Sequence, residues 1–419
     1  MMTQAFYTGL SGLKTNTYAI DAISDNLSNV STNGYRGYTT EFSSLFEESL
    51  NTISGQSTNN DSIGLGSRVQ STTMITSQGN IMQSDRSTDL AILGEGWFGV
   101  ETQGEICYTR NGAFTFDSNS NLVTSDGYYV MGTKGNNITD GHITQPLSST
   151  PLKDVSSQEK LSFPTQLTYP VDPTTEVSFA GNIGTEDTPR TMSVTAIDPQ
   201  NNKNELKLNY SSPIIREDGG TTWKVTAQTL SSDGETLYDT QEGEAIFDSA
   251  GALLSTTLTN INNNGQTIAI DLGNKYNGVV AISNVDITTS ATANGKEAGE
   301  LVGYDIDKNG DIVATFTNGE QSSVGKVALY HFQNDQGLQR DSGVLFHSTS
   351  NSGNAMFYQD STGNNIAGTN LMNYALESSN TNMTTSLTEL IIYQRAYDAN
   401  SKSVTTADEM MQKALEMDA

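Results

Sequence analysis

A mainly β, α+β chain with a long amphipathic helix at each end is the architecture this sequence predicts. Three observations carry the expectation. Neither Gly nor Pro occurs between Leu13 and Asn33, nor from Leu371 to Ala419. Between those ends the apolar residues alternate with period two and are punctuated by Asn-Gly and Asp-Gly pairs. The composition, with 38 Gly, 8 Pro and 35% hydrophobic residues in 419, suits short strands joined by turns better than a doubly wound α/β enzyme.

At the N-terminus Phe6, Leu13, Ile20 and Leu27 recur every seven residues, with Ile23 and Val30 on the adjoining row, which predicts a helix with a narrow apolar seam. Asn33-Gly34 supplies the stop. At the C-terminus Met383, Leu390, Tyr397, Val404 and Met411 repeat the spacing, flanked by Leu387, Ala407, Ala414 and Leu415. A helix of about 40 residues there would be roughly 60 Å long. Ordering so long a helix costs more backbone entropy than one narrow seam returns, so both ends are expected to need further surface to bury against. A helical hairpin capping an ordinary core is the competing reading.

Strands are expected at Asp89–Leu93, Trp97–Glu101, Ile106–Arg110, Ala113–Asp117 and Tyr128–Met131. More follow at Thr222–Leu230, Ala245–Asp248, Thr267–Leu272 and Val324–Phe332. Asn111-Gly112, Asp126-Gly127, Asp218-Gly219, Asn309-Gly310 and Asn318-Gly319 mark turns, so two or more domains of antiparallel hairpins are expected. Gln145–Pro173 holds five of the eight prolines and reads as an inter-domain connector. Asn51–Asp61, polar and rich in Ser, Asn and Gly, reads as a linker.

Lys and Arg total 21 against 48 Asp and Glu, a net charge of −27 that disfavours nucleic acid and anionic bilayers as partners. The single Cys107 excludes an intrachain disulfide and a cysteine zinc site, and is expected to be a structural thiol. His142, His331 and His347 lie far apart in sequence, which argues against a histidine metal site. No run approaches the roughly 20 apolar residues of a membrane span. The start, Met1-Met2-Thr3-Gln4-Ala5-Phe6, lacks a basic region followed by an apolar one, so no cleavable export signal is expected.

Two motifs carry possible chemistry. Gly94-Glu95-Gly96-Trp97-Phe98-Gly99 matches a dinucleotide-binding glycine pattern, but β alternation follows it where a helix would have to begin, so a turn between strands is the better reading. Asp305-Ile306-Asp307-Lys308-Asn309-Gly310-Asp311 resembles half of a calcium loop, yet Phe316 stands where the bidentate Glu belongs, and a hairpin turn is expected. No carboxylate pair, nucleophile elbow or phosphate loop stands out. No cofactor, metal or catalytic residue is expected.

Three blocks together resemble the bacterial flagellar axial proteins, the rod and hook family. The first runs from Asn26 through Asn29, Asn33 and Gly34 to Arg36. The second is Asp89–Phe98, with Gly94 and Gly96, followed by Tyr108–Phe114, with Arg110 and Gly112, and Leu122–Gly127. The third is Glu377–Asn380, then Gln394-Arg395-Ala396-Tyr397-Asp398-Ala399-Asn400 and Thr405–Met410. Glu176–Ile183, Ala245–Gly251, Tyr304–Gly310 and Phe316–Gly319 are similar to inserted-domain segments of the hook type rather than of the shorter distal-rod type. Thr381-Asn382 departs from the family's usual Val-Asp, and Trp97 from its usual Phe.

The resemblance implies that residues 1–35 and 375–419 pair as a coiled-coil-like inner domain lining a channel. It further implies a connecting region at 36–75, a discontinuous β domain at 76–148 and 290–374, and an outer β domain inserted at 149–289. The implied function is a structural subunit of the flagellar hook, self-assembling into a curved, bendable tube that transmits motor torque and encloses an export channel. The implied partners are further copies of the chain, the distal rod, the hook cap, the hook–filament junction proteins and the type III export apparatus, at an extracellular location. Phe6, Leu13, Ile20, Leu27, Met383, Leu390, Tyr397, Val404 and Met411 are the expected assembly interface. Gln394, Arg395 and Asn400 bridge subunits or serve as plain helix surface. A distal-rod or other axial protein, and an acidic extracellular adhesin, are the alternatives.

Overall fold

The computed structural model describes residues 2–45, 47–49 and 62–417, so the expected Asn51–Asp61 linker lies outside the described residues. Two long helices are present, α1 (Met2–Ser28) and α2 (Met383–Met417). They pack antiparallel, since a Cβ placed on Gly9 would meet Val404 while one on Gly12 would meet Asn400. α1 stops at Ser28, before the Asn33-Gly34 signal; a turn intervenes, and Gly34 supplies the left-handed residue at φ +68°. α2 begins only at Met383. The glycine-free stretch before it is extended: Asn370–Asn373 pairs with Leu90–Leu93, and Ala375–Glu377 with Ile81–Gln83. Asn382 sets the helix start, its Oδ1 accepting the Thr384 and Thr385 N–H groups at 2.9 and 3.2 Å.

Two β bodies lie between the helices. The first is a fifteen-stranded sheet system whose core includes Leu90, Ile92, Phe98, Val100, Phe114, Ile312, Val324 and Leu371, all buried. Leu161, Phe163, Leu167 and Tyr169 belong to that same core, and Leu152 to an aromatic cluster beside it. Gln145–Pro173 is therefore a packed wall of the first body rather than a linker, and residues 149–170, assigned from sequence to the outer domain, pack with the first β body. Its prolines tolerate this because the segment forms only short pairings, Glu159–Lys160 and Thr168–Tyr169 among them.

The second body packs a five-stranded sheet against a six-stranded one around Val177, Phe179, Leu206, Tyr210, Trp223, Phe247 and Ile268. The hairpin expectation needs one correction here. Glu176–Asn182 runs parallel to Gln266–Asp271 and to Asn277–Val280. It pairs antiparallel with Ser290–Ala293, so the entry and exit strands of the body lie side by side.

Four of the five expected turns place glycine in the left-handed region: Gly127, Gly219, Gly310 and Gly319. Asn111-Gly112 does not form a hairpin turn. Its glycine lets two backbones touch, because a Cβ there would stand 1.9 Å from the Leu90 carbonyl oxygen. Gly94 and Gly96 (φ +126° and +127°) turn the chain between Leu90–Leu93 and Trp97–Thr102, a strand–turn–strand arrangement. The calcium-like segment joins Gly299–Ile306 to Asp311–Phe316 as a hairpin.

Candidate assembly interface

The helix pair rests on a β ribbon formed by Tyr38–Ser44 and Ser67–Met74. Asn26 welds the two. It is 5% exposed, its Nδ2 donates to the Tyr38 carbonyl at 2.7 Å, and its Oδ1 accepts the Tyr38 N–H at 2.9 Å, as a strand neighbour would. Thr15 Oγ1 lies 3.1 Å from Ser67 Oγ higher on the same face. Asn29 closes the end of α1, donating to the Asp25 carbonyl and carboxylate and accepting from Thr32 Oγ1.

The tightest helix contact is made where small residues of α1 face α2. Gly12, Ala19 and Asn26 recur by sevens on α1, and Ser386, Tyr393, Asn400 and Ala407 do so on α2; all are buried or half-buried. A Cβ on Gly12 would come within 2.7 Å of Asn400 Nδ2, so side-chain bulk at this position would push the helices apart. Val404 packs on Gly9, and the other large residues singled out from sequence sit beside this seam. Phe6, Leu13, Ile20 and Leu27 are one residue, about 100° of helix rotation, off the Gly12–Ala19–Asn26 row and half-buried. Leu390, Val404 and Met411 are half-buried, and Met383 and Tyr397 are exposed. Gln394 and Arg395 are exposed, while Asn400 lies against α1. Tyr7, Leu10 and Tyr18 on α1 and Leu387, Ile391, Ile392, Met410 and Leu415 on α2 are also exposed, Leu415 at 72%. A helix pair that seals itself with small residues and turns its large apolar ones outward has surface left to bury.

Below the helices, the remaining motif residues converge. Glu377 is 1% exposed; Arg36 Nη2 lies 3.0 Å from its Oε1, close but off the hydrogen-bond line, and Arg110 Nη1 bonds Oε2 at 3.3 Å. Gly34 N–H donates to the Glu377 carbonyl at 2.7 Å, and a Cβ on Gly34 would stand 2.3 Å from the Asn111 nitrogen. Arg110 also donates to the Gly94 carbonyl at 2.7 Å and stands 5.5 Å from the centroid of the Trp97 ring. Burial lowers the Arg110 pKa to about 10 and lowers that of Arg36, with Glu377 opposing the shift in both. Asp89, also buried, is held by Arg86 at 2.6 Å and by Ser84. Gly96 leaves room for His331, whose Nε2 lies 2.7 Å from the Ala367 carbonyl. Trp97 finds an indole partner in Asp335 at 3.3 Å. Asn33 is half-buried in the turn after α1. Sequence reasoning marked Arg110 as a motif residue but assigned no role to Arg36 or Glu377; a buried carboxylate between two arginines is invisible when its partners are 341 and 267 residues away along the chain.

Cys107 is buried in its strand, its Sγ 3.6 Å from His347 Nε2, and burial raises its pKa to about 11. It is an inactive thiol.

Three family models match this chain in order. They are flagella basal body rod protein at residues 6–36, the flagellar hook protein FlgE/F/G D1 domain at 91–170, and flagellar basal body rod FlgEFG protein C-terminal at 372–417. The chain is 27% identical to the flagellar hook protein FlgE of Escherichia coli, covering 97% of this chain and 98% of that one. It is 29% identical to FlgE of Brucella suis, covering 96% of each, and 25% identical to FlgE of Borreliella burgdorferi, covering 99% and 100%. A crystal structure of Helicobacter pylori flagellar hook protein FlgE2 aligns with TM-score 0.49 and 16% identity, over 71% of this chain and 100% of that one. Both ends and the intervening β segment match models of flagellar rod and hook proteins in order, and from end to end the chain is similar to flagellar hook proteins.

Proposed function

We propose that this chain is the structural subunit of a flagellar hook and that it works as a polymer of identical copies. The observation that carries the reading is the paired helices with their large apolar residues turned outward, Tyr7, Leu10 and Tyr18 on one and Leu387, Ile391 and Ile392 on the other. Neighbouring copies would bury these residues, and the Phe6–Leu13–Ile20–Leu27 and Met383–Leu390–Tyr397–Val404–Met411 rows would supply cohesion near the axis. The two β bodies, acidic and polar outside, would make weak outer contacts that slide as the tube bends, which is how a tube passes torque around a corner. The near full-length alignment with hook proteins favours the hook over the shorter distal rod.

The same reading places the chain outside the cell at the hook, next to the rod, the hook cap and the junction proteins, after export by the flagellar type III apparatus. It gives the chain no catalytic role. Negative-stain microscopy of the concentrated protein tests the proposal. Curved tubes are expected, and a protein that stays monomeric, or gathers only into amorphous clumps, refutes it.

A further inference from the structure

The passage from the helix pair to the first β body is built as a locked joint. Four separate stretches of chain meet there: the turn after α1, the segment Ile75–Asn80, the end of the strand Glu105–Thr109, and the stretch Glu377–Asn380 that leads into α2. Glu377 touches all of the others. Its carboxylate faces Arg36 and Arg110, its Oε1 accepts the Gly79 N–H at 2.8 Å, and its own carbonyl accepts the Gly34 N–H at 2.7 Å. Three residues on, Asn380 Oδ1 accepts the Gly37 N–H at 2.8 Å, and its Nδ2 donates to the carbonyls of Ile75 and Ser77 at 2.7 and 2.9 Å. Arg36 Nη1 reaches the same Ser77 carbonyl at 2.5 Å.

These bonds cross between separate stretches of chain, beside the ladder that pairs Ala375–Glu377 with Ile81–Gln83. We infer that Glu377, with Asn380, Arg36 and Arg110, forms a joint that fixes the angle between the helix pair and the β body, so that force applied to one turns the other. The inference rests on the hook reading for its mechanical role. Beyond this joint α1 reaches the body through the Asp25–Arg340 ion pair at 2.7 Å and the packing of Tyr38 and Met74 on its aromatic cluster, and with the joint loosened a bend at the base of the body would absorb torque instead of transmitting it. A buried carboxylate suits this better than an apolar contact. Apolar surfaces can slide over one another, whereas two guanidinium groups converging on one carboxylate have a single low-energy geometry and lose much when it shifts. Arg36, Arg110 and Glu377 are positioning residues, each acting through the others.

Glu377→Gln keeps the shape and removes the charge. In the full-length monomer the amides of Gly34, Gly37 and Gly79 should then exchange on the order of 10²-fold faster, with the second body's strands unaffected. Tubes grown from the variant should bend more easily, seen as a shorter persistence length in electron micrographs. Asn380→Ala, which leaves the ion cluster in place, should move both readouts the same way by less, and serves if Glu377→Gln does not accumulate as folded protein. Tubes of wild-type stiffness from either variant, or faster exchange spread evenly over the β bodies, would overturn the joint. Failure of the wild-type chain to form tubes would instead overturn the hook reading, and the exchange measurement on the monomer would still decide the joint.

Discussion

Backbone conformation, more than side-chain chemistry, decides what individual positions tolerate in this fold. Tyr374 shows this most plainly. It stands where the strand leaves Leu90–Leu93 to pair with Ile81–Gln83, and holds φ at +54°, the one aromatic residue in the left-handed region among the described residues. Its carbonyl is fixed by the Ser84 N–H at 2.8 Å, and its ring, 47% exposed, gains little packing in return. Tyr374→Gly should therefore stabilise the first body by about 1 kcal/mol, whereas Tyr374→Ala keeps the strain and should not. Calorimetric midpoints of the two variants test this, and equal midpoints would mean that the ring, not the backbone, sets the energy. Gly34 is the opposite case. At φ +68° and with the Asn111 nitrogen 2.3 Å from where a Cβ would be, Gly34→Ala should cost about 3 kcal/mol by the same measurement.

Among the elements, five turns share one device. Asp117, Asp198, Asp248, Asp307 and Asp360 each use Oδ1 to accept the N–H groups two and four residues on. At Asp360 the Thr362 hydroxyl, together with the Asn364 and Thr362 amides, lowers the carboxyl pKa to about 2. A pKa lowered in the folded state contributes stability that is present above the unfolded value of about 4 and is lost as pH falls through about 2. The Asn364 amide should lose protection from hydrogen exchange over that window, and Asp360→Asn should abolish the pH dependence. On the helices, Leu390→Asp should prevent tube formation while the unfolding transition of the β bodies stays in place; tubes from that variant would remove the row from the interface. Much at this scale was legible beforehand. Four of the five Asn-Gly and Asp-Gly turns, the strands and both helices carry local signals. The start of α2 was not, because Leu371–Glu377 lacks breakers and becomes extended only through partners about 280 to 300 residues upstream. The proline-rich wall at Gln145–Pro173 misled for a related reason: proline forbids a ladder hydrogen bond but not burial of the apolar residues between prolines. The packing of α1 on α2 is harder to read, because large residues advertise themselves in a periodicity, whereas Gly12 and Ala19 matter by their absence of bulk.

Over the whole molecule, charge and adhesion are kept apart. The two helices carry four basic and seven acidic residues, so they account for only −3 of the net −27 and leave −24 on the rest of the chain. Thirteen of the 21 basic residues are already engaged in ion pairs within the described residues, which leaves few cations to neutralise a neighbour's acidic face. Copies brought side by side would thus attract through near-neutral apolar helices and repel through their β bodies. Salt acts on only one of these terms. Raising ionic strength from 0.01 to 0.15 M shortens the screening length from about 30 Å to about 8 Å and weakens repulsion between the bodies, while burial of Tyr7, Leu10 or Ile392 is little changed. The critical concentration for tube growth, read from sedimentation, should therefore fall as sodium chloride rises over that range. A critical concentration that climbs with salt would mean that ion pairs between copies, rather than the apolar helix faces, hold the polymer together.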